Sequence, residues 1–139
     1  MCIRDRDNTA QNIANDSVDI VGFNTVVTDN TGLMAVTASN AIDLVRPGNY
    51  LIIGSVSTNA FPGASNNSQV RIHIDGTYVR SVLNHVPSGS NWGPQVSHAF
   101  IGAAGNRITL RMYQVSGGNV ALYVTNPENL LTAQEIAAW

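Results

Sequence analysis

The sequence predicts an all-β protein that folds as one antiparallel β-sandwich of about eight strands. Apolar residues alternate with polar ones in short runs, and Gly, Asn, Asp and Pro separate these runs every 8 to 15 residues or so. Charged residues make up only 12% of the 139-residue chain, and none of the basic ones is Lys. This composition disfavours long solvated helices, and the length suits one domain with its own core.

Two segments carry the clearest strand patterns. In NYLIIGSVST, Tyr50, Ile52, Gly54 and Val56 share one apolar face. In VRIHIDGTYVRSVL, the Asp75-Gly76 pair predicts a tight hairpin, because the favoured turn needs positive φ at both central residues. The residues that we expect to form the sandwich core are Ile52, Ile72, Ile74, Leu110 and Leu122.

The two ends of the chain differ in pattern from the segment between them. Residues 1–16 are interpreted as an N-terminal arm and 17–139 as the domain. MCIRDR, residues 1–6, looks like translated sequencing adapter, which would also remove Cys2 from the natural protein and points to an environmental gene. The final LLTAQEIAAW is predicted to supply a closing strand in its first half, with a helix as the alternative on local propensity.

Composition excludes several classes of function. The seven basic residues form no stripe, so a nucleic-acid binder held by phosphate contacts is not expected. No apolar stretch approaches 18 residues, so no membrane span is expected. Cys2 is the only cysteine, which excludes an intrachain disulfide and a cysteine zinc site.

Catalytic and metal-binding patterns are not found. His73, His85 and His98 lie too far apart in sequence for a compact ligand motif, and Asp75 is explained by its turn. No Gly-x-Ser-x-Gly elbow is present, and the carboxylates fall mostly at turns and edges. We therefore predict no catalytic residue, no metal and no cofactor.

Aromatic residues are the candidates for recognition. Phe61 and Trp92 lie in two loops rich in Gly, Ser and Asn, where they would either contact a partner or sugar, or fold back as a lid on the core. The residues that we expect to anchor contacts between subunits are Tyr50, Tyr113, Tyr123 and Trp139.

The order of the strand signals resembles a known family. A strand like VGFNTVVTDNTG precedes GNYLIIGSVS, a strand–Asp-Gly–strand hairpin, a polar loop and AGNRITLRMYQVSGG. This order is similar to the jelly-roll domain of tumour necrosis factor and the complement globular heads, which also occurs in bacterial spore-surface and bacteriophage virion proteins. The resemblance spans about residues 19–136, without a collagen-like stalk, and it implies a homo-oligomer, with a trimer as the expected form.

These points together predict a non-enzymatic structural virion protein. The expected function is a capsid decoration or cement protein that binds the major capsid protein on the outer surface of a bacteriophage head and stabilises neighbouring subunits. The alternative is a receptor- or carbohydrate-binding module, such as a tail-fibre tip or a surface lectin-like domain. Low charge is compatible with a protein packed against neighbours.

Overall fold

A computed structural model gives the structure of the chain and describes residues 2–6, 11–23, 25–29, 34–37, 40–123 and 129–137. These residues form thirteen β-strands and no helix, so the predicted all-β class is confirmed. The count exceeds the expected eight because several strands are only two to five residues long. No helix able to cross a membrane occurs in the described ranges.

The strands are β1 (Cys2–Arg6), β2 (Asn12–Ile13), β3 (Ser17–Ile20), β4 (Thr25–Asp29), β5 (Met34–Thr37), β6 (Ala41–Leu44), β7 (Gly48–Ser55), β8 (Ser65–Ile74), β9 (Thr77–Val86), β10 (Gln95–Gly102), β11 (Arg107–Gln114), β12 (Val120–Ala121) and β13 (Leu130–Ala137).

The strands form two main antiparallel sheets and a small third one. The five-stranded sheet has the order β10-β7-β13-β1-β4, and the six-stranded sheet contains β5-β6-β11-β8-β9 with β3 also paired to β11. The third sheet joins β12 to β2. Neighbours in space that are far apart in sequence, such as β7 and β13, give the crossovers of a jelly-roll sandwich.

The core lies between the two main sheets and follows the predicted alternation. Tyr50, Ile52 and Gly54 of β7 are buried, whereas their neighbours along the strand are only partly so. The predicted core is confirmed: Ile52, Ile72, Leu110 and Leu122 are buried, and Ile74 packs against the cluster from its margin. Inward positions of β11 contribute Ile108 and Met112.

The hairpin between β8 and β9 forms at the predicted dipeptide. Asp75 and Gly76 have φ of 52° and 78°, the left-handed values that this turn requires. The Asp75 carboxylate also accepts hydrogen bonds from the Arg107 backbone N–H (2.7 Å) and the Asn106 amide (2.6 Å). The turn is therefore fastened to the start of β11.

Strands β1 and β2 lie in sheets, whereas the sequence interpretation placed residues 1–16 in an arm that precedes the domain. β1 pairs with β13 on one side and β4 on the other, so it satisfies backbone groups of both strands. Ile13 of β2 is fully buried in the core. At the other end, β13 forms a strand through Ala137, which confirms the closing strand and excludes the helix alternative over that range.

Candidate functional site

The outward side of the five-stranded sheet is the first candidate site. On β7 and β10 the residues that face the core alternate with more exposed residues that point away from it, whereas on β13 the consecutive residues Leu131, Thr132 and Ala133 are all buried. Strand pairing places Ala99 beside Leu51 and Ser97 beside Ile53 on this outward side. We call it the five-stranded face; its residues on β7, β10 and β13 are Asn49, Leu51, Ile53, Ser55, Gln95, Ser97, Ala99, Ile101, Leu130, Thr132, Gln134 and Ile136.

Over β7, β10 and β13 the five-stranded face carries no charged residue and is apolar at one end, whereas on β1 the pairing places Arg4 beside Thr132 and Arg6 beside Leu130. Ile101 and Ile136 are 67% and 55% exposed, although isoleucine is normally among the most buried residues. Together with Asn49 and Ala99 they border a shallow hollow of about 210 Å³. An exposed apolar patch of this kind, bordered by uncharged residues, is typical of contacts between protein subunits.

An ion pair lies just inside this apolar end. The Arg46 guanidinium donates to the Glu135 carboxylate, whose side chain is nearly buried. This hydrogen bond raises the pKa of Arg46. The pair connects the turn before β7 to the end of β13. The Glu135 carboxylate is used in this pair and does not lie on the outward side of the sheet.

Tyr50 is not available as the predicted interface anchor, which corrects the sequence interpretation. It is fully buried on the inward side of β7, its ring lies 6.1 Å from that of Phe100, and its hydroxyl donates to the Arg46 carbonyl at 2.9 Å. Burial raises the pKa of the Tyr50 hydroxyl. The alternation of β7 decides this placement, because Tyr50 shares the parity of Ile52.

Phe61 and Trp92 are also buried, at 1% and 7% exposure, and are not exposed recognition residues. Their rings meet edge to face, with centroids 6.3 Å apart. In the orientation that satisfies the Asn84 amide, its oxygen accepts from Trp92 Nε1 at 2.9 Å. The two loops therefore close the end of the core as a lid, the second of the two interpretations that the sequence left open.

The remaining predicted anchors fall into three different situations. Tyr113 is half-buried on β11, and its hydroxyl donates to Asp16 at 2.8 Å, which raises the Tyr113 pKa. Tyr123 follows β12 and is 38% exposed. Trp139 lies outside the described residues. The structure therefore does not bring these aromatic residues together in one surface.

The three histidines do not converge. His73 is buried on β8, His85 is exposed on β9, and His98 is partly buried on β10, where it stacks on Phe100. Among the described residues no group of three His, Cys, Asp or Glu side chains is placed to hold a metal ion. The carboxylates of Asp43, Asp75 and Glu135 are used instead in bonds between strands and turns.

The exposure of Ile101 and Ile136 on the five-stranded face does not follow from the sequence alone, because an isolated apolar residue on a strand does not reveal which side its neighbours cover. The sequence of β7 does indicate a covered outer side. Leu51 and Ile53 are apolar, although they point to the opposite side of the strand from Tyr50 and Ile52. A strand that is apolar on both sides indicates that both sides are covered.

Comparison with known proteins supports the fold and leaves the function open. No protein-family model and no curated protein sequence matches the chain. Among solved structures, Eiger TNF from S. frugiperda matches with a TM-score of 0.76 and 12% identity, covering 100% of this chain and 94% of that one. Murine APRIL at pH 5.0 matches with a TM-score of 0.72 and 12% identity over 97% and 98% of the two chains.

The globular domain of zebrafish complement 1qA protein is similar as well, with a TM-score of 0.67 and 10% identity over 99% of this chain and 98% of that chain. The chain thus has the jelly-roll fold of the tumour necrosis factor and complement globular-head domains. The predicted resemblance is confirmed at the level of the fold.

Proposed function

We propose that this chain is a non-enzymatic structural virion protein, a decoration or cement protein of a bacteriophage head that associates with copies of itself and attaches to the capsid. The observation that carries the proposal is the exposure of Ile101 and Ile136 at the end of the five-stranded face where β7, β10 and β13 carry no outward charged residue. Covering such a surface with another protein removes apolar area from water, which favours association.

Self-association is the first step of the proposed function. The strands β7 and β10 present outward apolar and small polar residues along their whole lengths, so a flat surface of several strands is available to a second copy. No lysine occurs anywhere in the chain to discourage lateral contact. A closed trimer is the expected assembly, which the resemblance to the tumour necrosis factor and complement jelly-roll domain implies.

The absence of assembled catalytic groups in the described part of the chain supports a structural role. Its acidic side chains are engaged locally: Asp43 with Arg107, Asp75 with Asn106, and Asp19 with the Ala14 backbone N–H. These bonds fix turns and strand ends. A cement protein needs such fixed surfaces and no reactive group.

The alternative function, a receptor- or carbohydrate-binding module, is no longer supported by the feature that favoured it. That interpretation relied on exposed aromatic residues at the loop ends, and Phe61 and Trp92 are buried there. We therefore carry the decoration protein as the single proposed function.

The proposal is tested by counting copies in purified particles that contain the protein. Quantitative mass spectrometry should give a copy number of the same order as that of the major capsid protein, since a cement protein occupies repeated positions on the head. A few copies per particle would indicate a fibre tip instead, and absence from particles would contradict the proposal.

A further inference from the structure

Four polar side chains form a square on the outward side of the six-stranded sheet. Strands β8 and β11 pair so that Arg71 lies opposite Arg111 and His73 lies opposite Thr109. Residues directly opposite on antiparallel strands share a face, with Cβ atoms about 4.5–5.5 Å apart. We use the name arginine face for these four residues together with the exposed residues beside them on the neighbouring strands, which are Val18, Ile20, Tyr78 and Leu83.

Two like charges face each other in the middle of this sheet. Such pairs destabilise a sheet unless another group compensates. The ion pairs of the described residues join Arg46 to Glu135 and Arg107 to Asp43, so neither reaches the arginine face.

Arg71 is held by uncharged groups. Its Nε donates to the Gln69 amide oxygen at 2.8 Å, and its guanidinium lies 4.9 Å from the centre of the Tyr113 ring. These contacts orient the charge without neutralising it. Asp16 accepts from the Tyr113 hydroxyl at 2.8 Å, and Arg71 forms no ion pair among the described residues, so the site presents a fixed positive charge.

Unused hydrogen-bonding atoms concentrate in the same square. In the described part of the chain, the buried side-chain atoms without a hydrogen-bond partner are His73 Nε2, Thr109 Oγ1 and Arg111 Nε. His73 and Thr109 are each 7% exposed. Buried polar atoms are normally paired, so three orphans in one place indicate a site built for a group from outside.

The border of the square is apolar and exposed. Ile20 is paired with Arg111, Val18 with Tyr113, Tyr78 with His73 and Leu83 with Gln69. All four of these bordering residues, Val18, Ile20, Tyr78 and Leu83, are exposed. Charged arginine beside tyrosine and aliphatic side chains on an open sheet is typical of protein–protein contacts, whereas small ligands favour concave pockets.

We propose that the arginine face binds an acidic side chain on the surface of a partner protein, with the carboxylate held between the guanidinium groups of Arg71 and Arg111. Guanidinium binds carboxylate through short, charge-assisted hydrogen bonds, so charge complementarity selects this occupant. The identity of the partner as a particle surface rests on the proposed function. The arginine face and the five-stranded face belong to opposite sheets, so both can be occupied at once.

The first test uses the isolated protein and two matched probes, glutamate and glutamine, each with an acetylated amine and an amidated α-carboxyl group. Titration of the glutamate probe should cause saturable NMR shifts of the Arg71 and Arg111 Nε–H signals, and the glutamine probe should not. The double variant Arg71→Gln/Arg111→Gln should lose this response, whereas Arg80→Gln, which removes an exposed arginine of β9, should keep it.

Thermal melting separates a binding role from a structural one. Because Arg111 faces Arg71 without a counterion, Arg111→Gln should leave the melting temperature unchanged or raise it. A drop of several degrees would assign Arg111 to stability and overturn the proposal. Equal shifts with both probes, shifts that persist in the double variant, or much tighter binding of a free acid such as citrate would overturn it as well.

The final experiment measures the protein in purified particles and distinguishes failure of the arginine-face proposal from failure of the proposed function. If the double variant keeps the oligomer mass of the wild type but is lost from particles, the partner is the particle surface. Retention at wild-type copy number would overturn that assignment. If the wild-type protein is absent from particles, the proposed function fails, and the probe titration still decides whether the arginine face binds a carboxylate.

Discussion

At the scale of single residues, Gly54 shows how closely the two sheets approach each other. A Cβ at this position would overlap Leu110 Cδ1 and lie 3.2 Å from Leu110 Cγ. Leu110 is fully buried in the core, so it has little room to move aside. Gly54 is therefore required by packing, and its backbone has no unusual φ.

The Gly54→Ala variant should lower the free energy of unfolding by about 1–3 kcal/mol through overpacking. Gly93→Ala is the matched control, because a Cβ there meets nothing within 4 Å. Chemical denaturation of both variants measures the effect. Equal stability of the two would contradict the close approach of β7 and β11.

His73 is a second residue whose surroundings set a measurable property. Burial lowers the pKa of its imidazole below the ordinary value of 6.5, and the charges of Arg111 and Arg71 lower it further. The hydrogen bond from Nδ1 to the Gly76 carbonyl, 3.1 Å long, acts in the opposite direction. Tyr78 packs edge-on against the ring.

Stability should therefore fall as the pH drops below about 6.5, because the unfolded chain then binds a proton that the folded His73 does not. The contribution is complete above the pKa of the unfolded state and is lost between that value and the lower folded pKa. Melting temperatures between about pH 7.5 and pH 5 measure it. His73→Gln should flatten the slope, whereas His85→Gln, at an exposed position, should not; identical slopes would contradict the assignment.

At the scale of strands, the alternation of inward and outward side chains decided which predictions were confirmed. The alternation in β7, the turn at Asp75-Gly76 and the core positions of β8 and β11 are local features, so the sequence predicts them well. Tyr50 shows the limit, because its residue type favoured an interface while its parity with Ile52 placed it in the core.

Contacts between distant segments could not be predicted in the same way. Whether Phe61 faces solvent or Trp92 depends on two loops about 30 residues apart in sequence, and no local pattern reports their meeting. The pairing of β1 with β13 joins the two ends of the chain. The exposure of Ile101 likewise depends on which strands lie beside it.

Ile72 and Leu110 are direct partners on β8 and β11, and both are fully buried. Ile72→Ala and Leu110→Ala should each lower the free energy of unfolding by about 2–5 kcal/mol, because each leaves a cavity in the core. The double variant should deviate from the sum, since the two side chains lie next to each other. Leu83→Ala, at an exposed position of β9, is the control; unchanged melting of both core variants would contradict the facing of these strands.

At the scale of the whole molecule, the two sheets present different chemistry to the outside. The five-stranded face carries exposed Ile101 and Ile136 and no charge over β7, β10 and β13, whereas the arginine face carries two arginines without an ion-pair partner among the described residues. The first surface suits a second copy of the chain, and the second suits an acidic partner. A sandwich with two such sides can join copies to each other and to a larger surface.

Light scattering at tens of micromolar measures whether the chain self-associates through the five-stranded face. The wild-type chain should have the mass of an oligomer, with three copies expected. Ile101→Asp should shift it to the monomer, since burying a carboxylate without a partner is costly. Val45→Asp, which places the same charge at an exposed aliphatic residue outside this face, should leave the mass unchanged. A wild-type chain that is strictly monomeric, or an Ile101→Asp variant with the wild-type mass, would contradict self-association through this face.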